Sequence, residues 1–166
     1  MDTVYIETSI VSYATAWPSR RIDVAALQQQ ARDWWELERW KFDLVTSQLT
    51  IDEASAGDPI AAGDRLLLLD GLPLVEIDDE TEELARRLLA AHTMPHKAAA
   101  DALHVAAAAL ARVNYLLTLN CKHIANAREL PRIYDLLDRE GLGQLLICTP
   151  AEFLSAESDG EETTDS

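Results

Sequence analysis

Five short runs of almost entirely apolar residues recur along this chain, and stretches with helical spacing separate them. A strand that is apolar on nearly every residue is typical of a sheet that is covered on both faces. Strands that alternate with helices favour a parallel sheet. We therefore predict an α/β fold with three layers, α/β/α, and a mainly parallel central sheet. The predicted strands are Thr3–Ile6, Phe42–Thr46, Leu74–Ile77, Tyr115–Leu119 and Leu145–Cys148.

Capping residues mark the ends of several predicted helices. Asp79–Ala91 opens with acids, which suit a helix N-terminus, and Leu130–Glu140 stops at Gly141. Pro95 is placed to start the helix that continues through Lys97–Arg112. The other helices are predicted at Ile22–Trp40, Ser47–Ala56 and Pro59–Leu69.

The length of 166 residues, 48% of them hydrophobic, is enough for one domain with a full core. We predict that residues 1–154 form this domain. The segment Ala156–Ser166 has five acids, no base and no large apolar residue. Because such a segment cannot bury apolar surface, residues 155–166 are predicted to form a disordered acidic tail.

The net charge of −15 argues against broad electrostatic binding to nucleic acid, which needs clustered Lys and Arg. An acidic protein can still act on RNA if metal ions neutralise the phosphate, and it can favour a basic protein partner.

No run approaches the ~20 apolar residues of a membrane span, and the Met1-Asp2 start lacks a basic region, so we expect a cytoplasmic protein. Cys121 and Cys148 are expected to be reduced and buried.

Acidic and amide residues stand where predicted strands end or helices begin. Glu7 follows the first strand, Glu53 lies in the helix predicted after the second, and Asp101 lies near the start of an alanine-rich helix. Thr118 and Asn120 follow the fourth strand. Sites in parallel sheets lie beyond the carboxyl ends of the strands, and converging carboxylates need a compensating cation. The pattern therefore indicates a metal-dependent hydrolase.

Most of these residues also have a purely structural interpretation. Glu7 alone could be a capping or surface acid, and Glu53 beside Asp52 could belong to a solvated helix face. A turn that contains Asn120 would explain Thr118 and Asn120 equally well. It is the order of the residues, more than any one of them, that favours a site.

Asp101 gives the strongest individual indication of function. It lies in Ala98–Ala109, a segment too apolar to be an exposed helix, so its charge needs a partner. His104 follows one turn later. It could ligate a metal, orient Asp101 or contact a phosphate, and the alternative is a core histidine satisfied by a hydrogen bond.

The order of these motifs resembles the PIN domain, in particular the VapC-type ribonuclease toxins of bacterial toxin–antitoxin pairs. The resemblance extends from Thr3 to about Leu154. It rests on Val4-Tyr5-Ile6-Glu7-Thr8-Ser9, Ser47-Gln48-Leu49-Thr50-Ile51-Asp52-Glu53, Asp101-Ala102-Leu103-His104-Val105-Ala106-Ala107-Ala108 and Tyr115-Leu116-Leu117-Thr118-Leu119-Asn120-Cys121-Lys122-His123-Ile124.

The resemblance implies an endoribonuclease that hydrolyses RNA phosphodiester bonds with Mg²⁺ or Mn²⁺. It implies that Glu7, Glu53 and Asp101 hold the metal and that Asn120 completes the catalytic set. It also implies a homodimer and a cognate antitoxin protein. In addition, we expect substrate contacts from Thr8, Thr118, His104 and Lys122. Lys97 and His123 are further candidates for phosphate contact.

Two positions depart from the family's pattern. The family's first acid is typically Asp, whereas Glu7 is one methylene longer. Asn120 is neutral, and His123 stands where some members carry an acid, so a second ion is expected only with substrate. These departures support an alternative, a weakly active or inactive PIN-fold module that binds a protein or RNA. An unrelated phosphohydrolase is disfavoured because neither a P-loop nor a HExxH helix is present.

The pair Trp34-Trp35 bears on the packing of the helix predicted at Ile22–Trp40. Adjacent residues on an α-helix diverge by about 100°, so the two rings are not expected to point into one core. At least one ring is expected to meet a second surface, in this chain or in another.

Overall fold

The computed structural model describes residues 1–92 and 98–154. Within these residues, five strands form one all-parallel sheet in the order β3-β2-β1-β4-β5. The tail predicted at residues 155–166 lies outside the described residues, as do Pro95 and Lys97. The strands are β1 (Thr3–Ile6), β2 (Asp43–Ser47), β3 (Leu74–Val75), β4 (Tyr115–Leu117) and β5 (Leu146–Cys148).

Eight α-helices flank the sheet in the described part of the chain, and the predicted three-layer α/β/α fold is confirmed. Two helices, α1 and α8, were not among those predicted. The helices are α1 (Thr8–Thr15), α2 (Ile22–Asp33), α3 (Gln48–Ala54), α4 (Pro59–Leu69), α5 (Asp79–His92), α6 (Ala99–Leu110), α7 (Leu130–Arg139) and α8 (Ala151–Leu154).

The central strand β1 divides the core into two halves. Tyr5 packs on one face with residues of α5, α6 and α7, whereas Val4 and Ile6 pack on the other face with residues of α1 and α2. All three side chains are fully buried. Because side chains alternate along a strand, a run with no polar residue requires this cover on both faces.

The helix predicted through Trp40 ends as an α-helix at Asp33. A π-helical turn follows at Trp34–Glu38, and a 3₁₀ turn at Arg39–Lys41 leads into β2. In the wider π turn, which closes i→i+5 hydrogen bonds, successive side chains step less far around the axis.

Trp34 and Trp35 are both buried in the same core cluster, so the prediction that they could not share a core is wrong. The Trp34 ring lies 6.1 Å from the rings of both Phe42 and Phe153. The Arg39 guanidinium lies 5.0 Å from the centre of the Trp35 ring. Residues of the same chain therefore pack against both tryptophan rings.

Strand β4 ends two residues before its predicted end, at Leu117. Cys121 lies in the loop beyond it and is exposed, so its predicted burial is wrong, whereas Cys148 in β5 is buried. Both cysteines are free thiols.

In the described residues, no helix is long and apolar enough to cross a bilayer.

The strand order creates a crevice between β1 and β4. From β1 the chain adds β2 and β3 on one side, then crosses over to add β4 and β5 on the other. In open parallel sheets, ligands bind beyond the carboxyl ends of the strands at such a switch point.

Candidate active site

Glu7 directly follows β1 and caps the N-terminus of α1. One of its oxygens, Oε2, accepts hydrogen bonds from the Ser9 amide (2.8 Å), the Ser9 hydroxyl and the Thr118 hydroxyl (3.1 Å). Only 4% of Glu7 is exposed. Burial raises the pKa of this carboxyl, against the opposing effects of the His104 charge and of the bonds from Ser9 and Thr118. Glu7 is therefore a fixed carboxylate that burial makes costly to ionise.

Glu53 reaches the same edge from α3. Its Oε1 accepts a hydrogen bond from the Thr8 hydroxyl (2.7 Å) and is bonded to His104 Nε2. Partial burial raises the pKa of Glu53, but the hydrogen bond and charge of His104 outweigh that effect, so the pKa is lowered. Glu53 is therefore ionised at neutral pH.

His104 connects Glu53 to the buried face of β1. It is fully buried, and its Nδ1 lies 2.8 Å from the Tyr5 hydroxyl, which lies 2.7 Å from the Ser47 hydroxyl. Because an ionised carboxylate only accepts hydrogen bonds, Nε2 donates to Glu53. Burial raises the pKa of Tyr5 to about 12, so the phenol keeps its proton.

The substrate contacts predicted for His104 and Thr118 are wrong in this structure, because neither side chain has exposed surface. Protein groups bind both ring nitrogens of His104, and the Thr118 hydroxyl donates to Glu7. Both residues position carboxylates instead. Thr8 is half-buried, and its hydroxyl donates to Glu53.

Asp101 stands in the first turn of α6 and is half-buried. Its Oδ1 accepts a hydrogen bond from the Asn120 side-chain amide (3.0 Å), and Asn120 Oδ1 accepts one from the His123 backbone amide (3.1 Å). Burial raises the pKa of Asp101; the charges of His123 and His104 lower it and that of Glu53 raises it. Asn120 thus fixes Asp101 to the loop after β4.

The structure brings the four predicted catalytic residues to one edge of the sheet. Glu7, Glu53, Asp101 and Asn120 reach it from β1, α3, α6 and the loop after β4. Hydrogen bonds tie each carboxylate to a neighbouring element. Their catalytic role stays a prediction.

The metal site predicted from Glu7, Glu53 and Asp101 is not a compact cluster. Among residues 1–92 and 98–154, no three His, Cys, Asp or Glu side chains lie close enough together to hold one metal ion. Each carboxylate instead has its own protein donor. The described residues therefore do not form one coordination sphere with all three carboxylates.

The donor chemistry nevertheless fits a hard divalent cation. No group in the described residues donates to the remaining oxygens, which are Glu7 Oε1, Glu53 Oε2 and Asp101 Oδ2. Mg²⁺ usually keeps several waters and binds one or two carboxylates together with substrate phosphate. The residues fit an ion held in that way.

A cavity of about 410 Å³ opens beside Glu7, between the start of α1 and the loop after β4. Lys122 is exposed at its rim, so its predicted phosphate contact stays a prediction. The sequence pattern did not single out Tyr5, whose hydroxyl bonds His104, or Tyr13, which lines the cavity, since an aromatic residue among apolar neighbours is expected in the core. The lining residues are Glu7, Ser9, Tyr13, Leu119, Asn120, Cys121 and Lys122.

Comparison with known families assigns the chain to one of them. The family model described as PIN domain matches residues 4–129, which include all four predicted catalytic residues. No curated protein and no solved structure gives a significant match. PIN domains are generally metal-dependent nucleases, which is consistent with carboxylates at the carboxyl edge of the sheet. The chain therefore belongs to the PIN domain family.

Proposed function

We propose that this protein is a Mg²⁺- or Mn²⁺-dependent endoribonuclease that hydrolyses RNA phosphodiester bonds, and that it is the toxin of a type II toxin–antitoxin pair in the cytoplasm. The observation that supports the proposal most is the way in which Glu7, Glu53 and Asp101 are held. Each carboxylate reaches one sheet edge with one oxygen bound to protein and another without a donor in the described residues. That is the preparation expected of groups that bind a cation and its waters.

Glu53 and Asp101 are the residues that would hold the cation, because both are only partly buried. A bound divalent cation supplies a nucleophile at neutral pH and stabilises the charge that develops on phosphate. His104 and Thr8 keep Glu53 ionised and oriented toward the edge. Asn120 fixes Asp101 against rotation. Glu7, tied to Ser9 and Thr118, holds its second oxygen toward the same edge.

The negative net charge of the chain opposes RNA binding. The chain carries a net charge of −15, and phosphates would be repelled from an acidic edge. A cation held by Glu53 and Asp101 would offset that repulsion where the phosphate would bind. RNA binding should therefore depend on divalent cations.

A homodimer and a cognate antitoxin are part of the proposal. Ile60 and Leu67 are 78% and 73% exposed, and a separation of seven residues places them on one face of α4. Exposed apolar stripes are typical of protein interfaces. The net charge suits an antitoxin with a basic segment.

The direct test is cleavage of a panel of structured and single-stranded RNAs by purified protein. We expect cleavage with Mg²⁺ or Mn²⁺ and none with a chelator. Glu53→Gln should abolish it, whereas the neighbouring exposed acid, changed as Asp52→Asn, should leave the rate unchanged because, in the described residues, the Asp52 side chain is bonded only to Gln48. Equal loss in both variants, or cleavage that persists in the chelator, would refute the assignment.

A second candidate is a PIN-fold module that binds a protein or RNA without cleaving it. The lack of a compact three-ligand cluster in the described residues favours it. Cation-independent RNA binding without cleavage of any substrate would support this candidate over the nuclease.

A further inference from the structure

The cavity beside Glu7 occupies the switch point of the sheet. Glu7, Ser9 and Tyr13 line one side of it, following β1, and the loop after β4 lines the other. General rules for parallel sheets place ligands in this crevice. The other carboxylates, Glu53 and Asp101, do not line it. Glu7 thus lies between a cavity and the rest of the acidic edge.

The walls of this cavity are tied together. The Ser9 hydroxyl donates to Glu7 and accepts a hydrogen bond from the Leu119 backbone amide (2.8 Å). Asn120 uses both ends of its side-chain amide on Asp101 and on the His123 backbone. A cavity held open by such bonds is formed before a ligand arrives.

Tyr13 gives the cavity an aromatic wall. It lies one helical turn after Ser9 on α1, so both side chains are on the same face of that helix. It is half-buried and packs against the core formed by β1, α1 and α2. Within the described residues, no hydrogen bond holds its hydroxyl. The ring is thus anchored on one side and available on the other.

The opposite rim carries Lys122, which is exposed. A flat aromatic surface with a cation near it suits an unpaired nucleobase attached to a phosphate, since every base has a π-face and every nucleotide a negative charge. A base inside a duplex could not enter, because its faces are already stacked.

We propose that this cavity binds one unpaired nucleobase of an RNA strand, adjacent to the phosphate at the acidic edge, with Tyr13 as the stacking residue and Lys122 as the contact to a flanking phosphate. This inference rests on the proposed function and adds a contact, made by Tyr13, that would position one nucleotide of the strand. A side chain of a protein partner is the competing occupant.

The test measures binding, so that it is separate from cleavage. Full-length unchanged protein, which keeps the proposed cation ligands Glu53 and Asp101, is titrated into labelled single-stranded octanucleotide RNAs with Ca²⁺ in place of Mg²⁺ to suppress cleavage, and binding is followed by fluorescence anisotropy. One nucleotide at a time is replaced by an abasic one. At one position the loss of the base should weaken binding about 5- to 150-fold, the range typical of base–aromatic stacking.

The companion variants show whether Tyr13 is responsible. Tyr13→Leu keeps an apolar side chain against the core but removes the flat face, so the abasic penalty at that position should fall to less than about two-fold. Tyr13→Phe should retain it. Trp17→Ala removes an aromatic ring that is 92% exposed and outside the cavity, and it should retain the penalty too. Melting temperatures verify that each variant is folded.

Three results would overturn the inference: no abasic position with a distinct penalty, a penalty that survives in Tyr13→Leu, or no binding of any of these RNAs. If Tyr13→Leu weakens intact and abasic RNA equally, the residue serves the wall or another partner and the base site is likewise refuted. Cleavage by the unchanged protein is scored separately, so failure of the proposed nuclease activity is distinguishable from failure of the base site.

Discussion

Two cavities of similar size lie at opposite edges of the sheet, and acidic residues line or lie near both. One, of about 410 Å³, is beside Glu7 at the carboxyl edge. The other, of about 390 Å³, is lined by residues that precede β4 and β5 and by residues of α5 and the segment before it, among them Asp78, Arg87, Arg112 and Glu140. The two differ in how their carboxylates are held.

At the amino edge the acids stabilise the fold. Arg87 forms an ion pair with Glu140, and Asp78 accepts bonds from the Thr81 amide and hydroxyl (both 3.0 Å) at the start of α5. Bonds from the Thr81 backbone amide and hydroxyl lower the pKa of Asp78. The anionic form is therefore the favoured one in the folded state.

At the carboxyl edge, burial raises the pKa of both Glu7 and Asp101. In the described residues, no Lys or Arg forms an ion pair with Glu7, Glu53 or Asp101. Folding thus works against the anionic form of Glu7 and Asp101. Acids that a fold retains at a cost to its own stability are candidates for function.

The largest expected effect distinguishes the two edges by activity. Asp101→Asn keeps the shape of the side chain but removes a charge that would face the cation, and cleavage should fall roughly 100-fold or more. Glu140→Gln at the amino edge should leave the rate unchanged. Initial rates at saturating Mg²⁺ measure both variants, and equal rates for Asp101→Asn and the unchanged protein would remove Asp101 from the site.

Next in size is the effect of His104, which links the core to the carboxyl edge. His104→Ala removes one hydrogen-bond partner from the Tyr5 hydroxyl and one from Glu53 and leaves a cavity in the core, so the free energy of unfolding should fall by about 2–4 kcal/mol. Mn²⁺ affinity should fall roughly 10- to 100-fold, as is usual when a group that orients a ligand is lost. Urea denaturation in a chelator and calorimetric Mn²⁺ titration measure the two effects.

His104→Gln serves as the control for that experiment. Its amide can bond Glu53, so part of the Mn²⁺ affinity should return. If His104→Ala binds Mn²⁺ as tightly as the unchanged protein, the histidine serves only the core.

The pH dependence of stability should have opposite signs at the two edges. The folded-state pKa of Glu7 is raised, so its contribution to stability is present below its ordinary pKa and is lost as pH rises through the folded value. That of Asp78 is lowered, so its contribution is present above its ordinary pKa and is lost as pH falls.

We compare the change in melting temperature that Glu7→Gln causes in the metal-free protein at two pH values. This change should be more stabilising near pH 7 than near pH 4. Asp78→Asn should lower the melting temperature near pH 7, and the difference should shrink in acid. Calorimetric scans in a chelator across that range measure both variants. If the two variants change with pH in the same direction, the contrast between the edges fails.

The smallest expected effect concerns Arg112, which ends α6 at the amino-edge cavity with a positive φ of 56°. Arg112→Gly relieves a left-handed backbone conformation and should stabilise the protein by about 1 kcal/mol. The melting temperature should rise by roughly 2–4 °C. RNA cleavage should not change, and loss of cleavage in this variant would mean that the amino edge also has a functional role.

The sequence indicated the five strands and the residues at their carboxyl ends, because both depend on local pattern. The run Val4-Tyr5-Ile6 is apolar at every position and Glu7 follows at once, so the strand and the position of its acid are visible together. The end of the helix predicted through Trp40 was harder to predict from the sequence. Its change to a π turn depends on packing against Phe42 and Phe153.

By itself, then, the sequence determined that this chain is a parallel α/β protein with acids at one edge of the sheet. Both features can be predicted locally, because they depend on the spacing of apolar residues and on the residues that directly follow each strand. Only the tertiary structure decided what each acid is bound to. Tyr5 and His104 are 99 residues apart, and Glu7 and Thr118 are 111 apart. Contacts at such separations, which make His104 a support for Glu53 and leave no compact metal cluster in the described residues, arise only when packing brings the elements together.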